Sequence, residues 1–364
     1  MSRRILFLVN GLGLGNSTRC HAIMQELIER GAEIEVVTSD NGEWYFADKP
    51  EIGRLTKISS LRYGKKDGHI SVSATLSMAG EMRATLAAAD SIISGVIERF
   101  RPDAVVTDST YSFRPVRRAG LKLVALNNSD MVVRGMRRFT DWPVSVLPQF
   151  TCIECLDYLY HRFVPDLVLS PRLDPADQDQ GGTFRRVGLI VRRECRPVPL
   201  SEGPPRRVVI MLSGSAFGSQ VHLARSHSNL QIDVIGRSEP AEGKMAANVT
   251  FHGKLRNSLP LLAQADLVVV NGGFSAVSEV MRLQKPLVVI PVPRHSEQWV
   301  NGRTIAHLGI GMSAAEDRLE AALEEAVGRI DRFRDGYRAL GSEIVSGSPR
   351  SAELILAVAG GGRA

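Results

Sequence analysis

The sequence predicts an α/β protein of two Rossmann-like domains, each a mostly parallel sheet wrapped by helices, with the sheets facing a shared cleft. Three observations carry that expectation. Two short apolar runs, residues 5–9 and 208–212, each stop at a glycine-rich loop. That pattern suits a buried parallel strand feeding a helix N-terminus. Apolar runs then alternate with helical stretches along both halves, as βα units do. Lastly, a chain of 364 residues has room for two cores.

The elements follow in order. After the first strand come Gly11, Gly13 and Gly15, then a helix over 17–30 with Ala22, Ile23, Leu27 and Ile28 on one stripe. Gly31 stops it, and residues 33–38 form the second strand. A long helix is expected over 72–100, bent near Gly80. Residues 102–108 make a strand ending in Asp108, and 121–126 one ending at Asn127, Asn128, Ser129 and Asp130. Residues 131–165 hold an arginine group (Arg134, Arg137, Arg138) and a helix, before a short strand at 167–170. Prolines and glycines then crowd the chain up to Pro205, the composition of a domain linker. The expected division is 1–190 for the first domain, 191–206 for the linker and 207–364 for the second, with the last helix returning to the first domain. Strands of the second domain fall at 208–212, 231–235, 249–251, 267–270 and 286–290, with helices over 258–264 and 275–283. Residues 315–360 read as helical, interrupted near Gly336.

Composition narrows the function classes. The net charge of +6 fits a phosphate-bearing ligand or an anionic surface. No basic-aromatic strand pattern suggests nucleic acid. The first strand starts close behind Arg3 and Arg4, with no export signal and no apolar run long enough to span a bilayer. A cytoplasmic protein is expected, with peripheral contact at the inner face of an anionic membrane left open by Arg114, Arg117 and Arg118 and by the second arginine group. Four cysteines do not make a disulfide scaffold. Cys152 and Cys155 have zinc-like spacing, but no second ligand pair follows, so no metal is expected. The oligomeric state is not legible.

Glycine at a strand-to-helix turn permits positive φ and leaves no Cβ between backbone and ligand. The following helix offers free N–H groups and positive potential. The first loop is not a P-loop, because Lys and Ser/Thr are missing at the required places. Nor is it a clean dinucleotide fingerprint, with Asn16 in the pattern and only Asp40 as a ribose acid. The second-domain set is stronger because its members should converge at the carboxyl ends of strands. They are Ser213, Gly214 and Ser215; Lys254 and Leu255; Gly272, Gly273, Phe274 and Ser275; and His295, Glu297 and Gln298. Glu279, one helical turn beyond Ser275, can accept two vicinal hydroxyls such as a ribose diol.

These motifs resemble the two-domain nucleotide-sugar glycosyltransferases of the GT-B fold, the MurG-like branch of the UDP-glycosyltransferase superfamily. The likeness is carried by residues 10–19, 271–279 and 286–301 and extends over most of the chain. It implies a hexosyltransferase-type enzyme without a cofactor, taking a sugar from a nucleotide-sugar co-substrate, UDP most of all, to a hydroxyl or amine of a small-molecule, saccharide or lipid-linked acceptor. It implies an inverting, metal-independent displacement. Ser213, Gly214, Ser215, Gly273, Phe274 and Ser275 would meet the diphosphate, Lys254 and Leu255 the base, Glu279 the ribose, and Glu297 and Gln298 the donor sugar. His295 or Arg294 would help stabilise the departing diphosphate. Gly13, Gly15, Asn128 and Asp130 would lie on the acceptor side.

One departure matters. The family's usual histidine after Gly-Leu-Gly is Asn16 here, and an amide takes no proton at neutral pH. Asp108 is the expected base, with His21 as a second candidate and Asn16 orienting substrate. A sugar-nucleotide hydrolase or epimerase, and a non-catalytic nucleotide-sugar-binding protein, are the alternative readings.

Overall fold

The structure is a computed structural model, and it describes residues 2–59, 65–66, 69–70, 79–179, 181–212, 229–236 and 248–362. Both apolar runs singled out above lie mid-sheet, paired on each side. The first sheet contains β1 (Arg4–Val9), β2 (Glu33–Thr38) and β3 (Arg54–Lys57). A two-residue antiparallel pair, β4 (Lys65–Lys66) and β5 (His69–Ile70), stands apart. The first sheet continues with β6 (Ala104–Asp108), β7 (Lys122–Leu126), β8 (Leu167–Pro171) and β9 (Phe184–Val187). The second sheet is built from β10 (Arg207–Met211), β11 (Gln231–Ile235), β12 (Val249–Gly253), β13 (Leu267–Val270), β14 (Leu287–Val289) and β15 (Gly311–Ser313). The orders are β3-β2-β1-β6-β7-β8-β9 and β12-β11-β10-β13-β14-β15, with every pair parallel.

Both sheets therefore reverse direction of growth beside their first strand, at β1/β6 and at β10/β13. Ligands of open α/β sheets sit outside the strand carboxyl ends at such switch points. The edge strands β3, β9 and β15 escaped the sequence reading because they are short and carry few apolar residues, having solvent or loops on one side.

Helices fill both faces. In the first half these are α1 (Leu14–Glu29), α2 (Asp40–Phe46), α3 (Ala79–Phe100), α4 (Arg114–Arg118), α5 (Ser129–Arg138) and α6 (Cys155–Phe163). A π-helical turn, Phe150–Glu154, leads into α6. The second half has α7 (Leu259–Gln264), α8 (Phe274–Arg282), α9 (Ser296–His307), α10 (Leu319–Gly328), α11 (Ile330–Leu340) and α12 (Ser348–Ala359). The expected start of α3, residues 72–78, lies outside the described residues. The carboxyl-terminal helical region breaks at Arg329 and at Gly341, whose φ is 52°. Gly336 lies inside α11 instead, where a Cβ would sit 2.4 Å from the Gly309 carbonyl oxygen, so close packing explains that glycine.

The chain passes between sheets twice. Helix α12 packs on the first sheet, with Ala352, Ile355 and Ala359 in one buried cluster with Ile5, Phe7 and Val9. The two crossings touch: Leu189 bridges Ser346, and Gly188 and Gly347 approach so closely that a Cβ on Gly347 would lie 2.5 Å from the Gly188 oxygen. Across the cleft, α5 and α9 meet through Val132, Met136, Val146 and Val300, flanked by Trp299. A Cβ on Gly135 would fall 2.2 Å from a Val300 methyl. Among the described residues no helix is long and apolar enough to cross a membrane.

Candidate active site

The strand ends of both sheets open on one cavity of about 750 Å³ between the two halves. That is the size of a small-molecule site. From the second half, the turn after β13 delivers Asn271, Gly272 and Gly273. Its shape is held by Asn301, whose Nδ2 donates to the Gly272 oxygen at 2.8 Å. Gly272 is obligatory, since a Cβ there would lie 2.5 Å from the Gln298 oxygen. Gly273 is the N-cap of α8 and no side chain caps the helix. Its first N–H groups and its dipole thus face the cavity, an arrangement that favours an anion. Phe274 buries its ring in the core behind, and Ser275 donates across the cleft to the Gly15 oxygen at 2.9 Å. Ser213, Gly214 and Ser215 lie outside the described residues.

Glu279 lines the same cavity, one turn into α8. Its carboxylate is gripped by Arg192 at 2.8 and 3.2 Å, and Arg192 also donates to Asn257. Burial by itself would lower the Arg192 pKa, but the Glu279 charge more than offsets it and raises it. Arg192 belongs to the linker and escaped the sequence reading, which had no signal linking it to a residue 87 positions away.

The loop after β12 is held by the opposite half. Lys254 donates to Asn41 at 2.6 Å and stands 4.3 Å from the Trp44 ring centre, while Arg256 stands 4.6 Å from it. Leu255 packs against the second core and lines the cavity. At the start of α9, Glu297 accepts from Asn128 at 3.1 Å, and Gln298 accepts from the Val292 N–H at 2.9 Å. The His295 Nδ1 is buried without a partner. Desolvation lowers the His295 pKa, opposed by the nearby Glu297, so the ring is neutral at pH 7.

On the facing side, Gly13 caps α1 without a side-chain hydrogen bond, leaving a second bare helix N-terminus at the cavity. Asn16 donates to the Asn10 oxygen at 3.2 Å and lines both this cavity and an adjoining one of about 1310 Å³. The larger cavity is walled by Leu86, Phe113, Ile153, Leu156 and Tyr160, with Arg83, Arg114 and Arg118 also on its wall. Tyr111 and Asp157 line both. Asp157 accepts from Tyr111 and Asn127 at 2.8 Å each and pairs with His161. Burial would raise its pKa, yet those donors hold it below the usual carboxylate range.

Three expected residues do not reach the cavity in the role assigned. Asp108 is fully buried, and Arg19 closes both its oxygens at 2.6 Å, with Cys20 and Ser109 behind. A carboxylate clamped in this way has no face for an acceptor hydroxyl; what reaches the cavity is Arg19. Ser109, next in chain, takes a left-handed φ of 55° to turn away from the strand. His21 is buried between Tyr45 and Glu51, at 3.0 and 2.9 Å, on the inner side of α1. Asp130 accepts from Ser170 at 2.5 Å and meets Arg186 at 3.4 Å, so it braces β8 and β9. The arginine groups are partly spent on ion pairs as well: Arg117 with Asp166, Arg134 with Asp177, Arg138 with Asp174.

Glu154 was not picked out from the sequence. It ends the π-helical turn, lines the cavity, and is 9 % exposed. Gln149 donates to its Oε1 at 2.6 Å, and the other end of that amide accepts the Ser296 N–H at 3.0 Å. Burial, reinforced by the Glu297 and Asp157 charges, raises its pKa to about 8. Among the described residues no three His, Cys, Asp or Glu side chains are grouped so as to hold a metal ion.

Comparison with known proteins gives this geometry a family. Residues 3–141 match the model of glycosyl transferase family 1, and residues 223–352 that of the glycosyltransferase family 28 C-terminal domain. An uncharacterized glycosyltransferase of Methanosarcina acetivorans is 23 % identical over 333 residues, covering 85 % of this chain and 84 % of that one. The UDP-N-acetylglucosamine–N-acetylmuramyl-(pentapeptide) pyrophosphoryl-undecaprenol N-acetylglucosamine transferase of Moorella thermoacetica is 24 % identical over 282 residues, covering 72 % and 74 %. Among solved structures, the spinosyn forosaminyltransferase SpnP shares the fold with a TM-score of 0.68 at 15 % identity, over 99 % of this chain and 100 % of that one. Two parallel sheets facing a cleft, both halves matched by transferase models, and an anion-ready helix start at the switch point agree: the chain is a GT-B-fold glycosyltransferase, related to the nucleotide-sugar transferases.

Proposed function

We propose that the protein moves a sugar from a UDP-sugar to a hydroxyl or amine of an acceptor seated in the amino-terminal half, inverting the anomeric centre in one displacement. The observation that carries this reading is the bare α8 N-terminus opening on the same cavity as the first glycine loop, with Ser275 touching Gly15. In this reading residues 1–190, with α12, carry the acceptor half, and the remainder of 207–364 the donor half. The diphosphate lies at Gly273 and Ser275, where helix N–H groups and the Arg19 guanidinium meet the charge that grows on the leaving oxygen. Glu279, oriented by Arg192, accepts the ribose hydroxyls, and Glu297 and Gln298 face the sugar. UDP is favoured because the Moorella relative is a UDP-N-acetylglucosamine transferase by name.

The acceptor enters through the larger cavity, whose apolar wall and arginines suit a largely apolar molecule carrying an acidic group. Closure of the halves excludes water and aligns the reacting atoms. Calorimetry with UDP and dTDP, and product analysis with labelled UDP- and dTDP-sugars over an acceptor panel, test this. Nucleotide binding with sugar transfer or slow donor hydrolysis is expected. No binding and no turnover across the panel would sink it.

A further inference from the structure

We propose that Glu154 is the proton acceptor of the transfer reaction, the role for which the first loop offers only Asn16. The inference rests on the transferase reading above. Among the described residues five acidic or imidazole side chains line the cavity: Glu154, Asp157, Glu279, His295 and Glu297. Glu279 is paired with Arg192, and Glu297, which accepts from Asn128, lies with His295 on the donor half. Asn16 is an amide, Asp108 is sealed by Arg19, and Asp157 is saturated by Tyr111, Asn127 and His161. Glu154 is different. Its Oε1 accepts one hydrogen bond, from Gln149, and among the described residues it forms no salt bridge and Oε2 takes no hydrogen bond.

Its position fits the task. Glu154 lies in the amino-terminal half, opposite the α8 N-terminus and in the same cavity as Asn16. Gln149 fixes it to the start of α9 through Ser296, so the carboxyl is placed only when the two halves are together. The π-helical turn displaces it from the regular helical phase, and such turns gather at functional sites.

The charges that face it are acidic. Asp157 lies one turn on, and Glu297 approaches from α9. Neutral His295 is on the same side, Arg19 faces Glu297, and Arg137 of α5 faces the adjacent Cys155. Two neighbouring carboxyls are thus pushed apart: Asp157 is kept ionised while Glu154 is held as an acid up to about pH 8. A base is most effective when its pKa lies near the working pH.

The step balances. The acceptor oxygen forms a bond to the anomeric carbon as the bond from that carbon to the diphosphate oxygen breaks. The leaving nucleotide keeps the electron pair, and the acceptor's proton passes to the Glu154 carboxylate. Above pH 8 the base form is already present. At lower pH the ionised fraction falls tenfold for each unit.

The test uses the full chain, UDP binding by calorimetry, and hydrolysis of UDP-glucose, UDP-N-acetylglucosamine and dTDP-glucose with water as the acceptor. Glu154→Gln should bind UDP within about twofold of wild type and lose about 10²–10⁴ in turnover. Wild-type turnover should rise with pH and level near pH 8, and Glu154→Asp should keep that limb at a lower plateau. Glu154→Gln within fivefold of wild-type turnover overturns the assignment, as does a limb that levels well below pH 8, which belongs to another group. Loss of folding in Glu154→Gln, seen by melting, would leave the pH limb of wild type and of Glu154→Asp to decide. A wild type that binds no nucleotide and turns over no donor overturns the transferase reading, and the base with it.

Discussion

Replacing Asp108 with asparagine separates a structural carboxylate from a catalytic one. The side chain is fully buried, and Arg19 is 8 % exposed. Two donors of Arg19 meet the two carboxylate oxygens at 2.6 Å, a fork-on-fork pair. Asparagine has the same shape but no charge, and it turns one acceptor into a donor facing Arg19. The guanidinium stays charged, because Asp108 more than offsets the burial that would lower its pKa. Breaking a buried pair by neutralising one partner costs about 3–5 kcal/mol, against a whole-domain stability of about 5–15 kcal/mol. Removing both charges in Arg19→Met/Asp108→Asn should return most of that loss, since an apolar replacement of a buried pair is often neutral. Urea unfolding followed by tryptophan fluorescence measures it, with UDP calorimetry alongside. The expected pattern is a markedly lower midpoint for Asp108→Asn and substantial recovery in the double variant. An Asp108→Asn protein with the wild-type midpoint and a hundredfold lower turnover would refute this reasoning and restore Asp108 as the base.

Three further outcomes follow from the same geometry. Trp44→Ala removes two cation–π contacts of about 0.5–1 kcal/mol each between the halves, which should raise the donor KM by roughly fivefold to thirtyfold and widen the particle in small-angle scattering. Gly272→Ala drives a Cβ into the backbone of Gln298, and UDP affinity should fall at least tenfold by calorimetry. Glu154→Gln should stabilise the fold. The native pKa of Glu154 is raised above its unfolded value, so its favourable contribution is complete below about pH 4.5 and is lost as pH climbs towards 8. The variant's gain in melting temperature should therefore be near zero at pH 4.5 and largest, worth up to a few kcal/mol, at pH 8 and above; a gain independent of pH would contradict it.

How far the sequence could be read follows from what each feature depends on. Central strands announce themselves because a strand buried on both faces must be apolar throughout, as residues 5–9, 104–106 and 267–270 are. Glycine-rich turns are legible from their spacing, but the reason for a glycine need not be: Gly272 is required by Gln298, 26 positions on, while a Cβ on Gly13 would meet nothing. Edge strands and the breaks in the last helices are settled by packing partners far along the chain, and there the reading slipped, taking Gly336 for a break when Gly309 explains it.

The charges show the same division more sharply. A carboxylate at a strand end looks like a base until its partner is known, and Arg19 is 89 positions from Asp108. Glu279 acquires its orientation from Arg192, 87 positions away, inside a stretch that composition marks only as linker. Glu154 lies in a segment that reads as ordinary helix. Its proton affinity is created by burial, by Asp157 on the same helix and by Glu297 from the opposite half, none of which leaves a pattern in the residues around it. Backbone-supplied anion binding can therefore be inferred from spacing, because the groups that do it are adjacent in sequence. Proton transfer cannot, because a pKa belongs to the assembled cavity, and here that cavity exists only where the two halves meet.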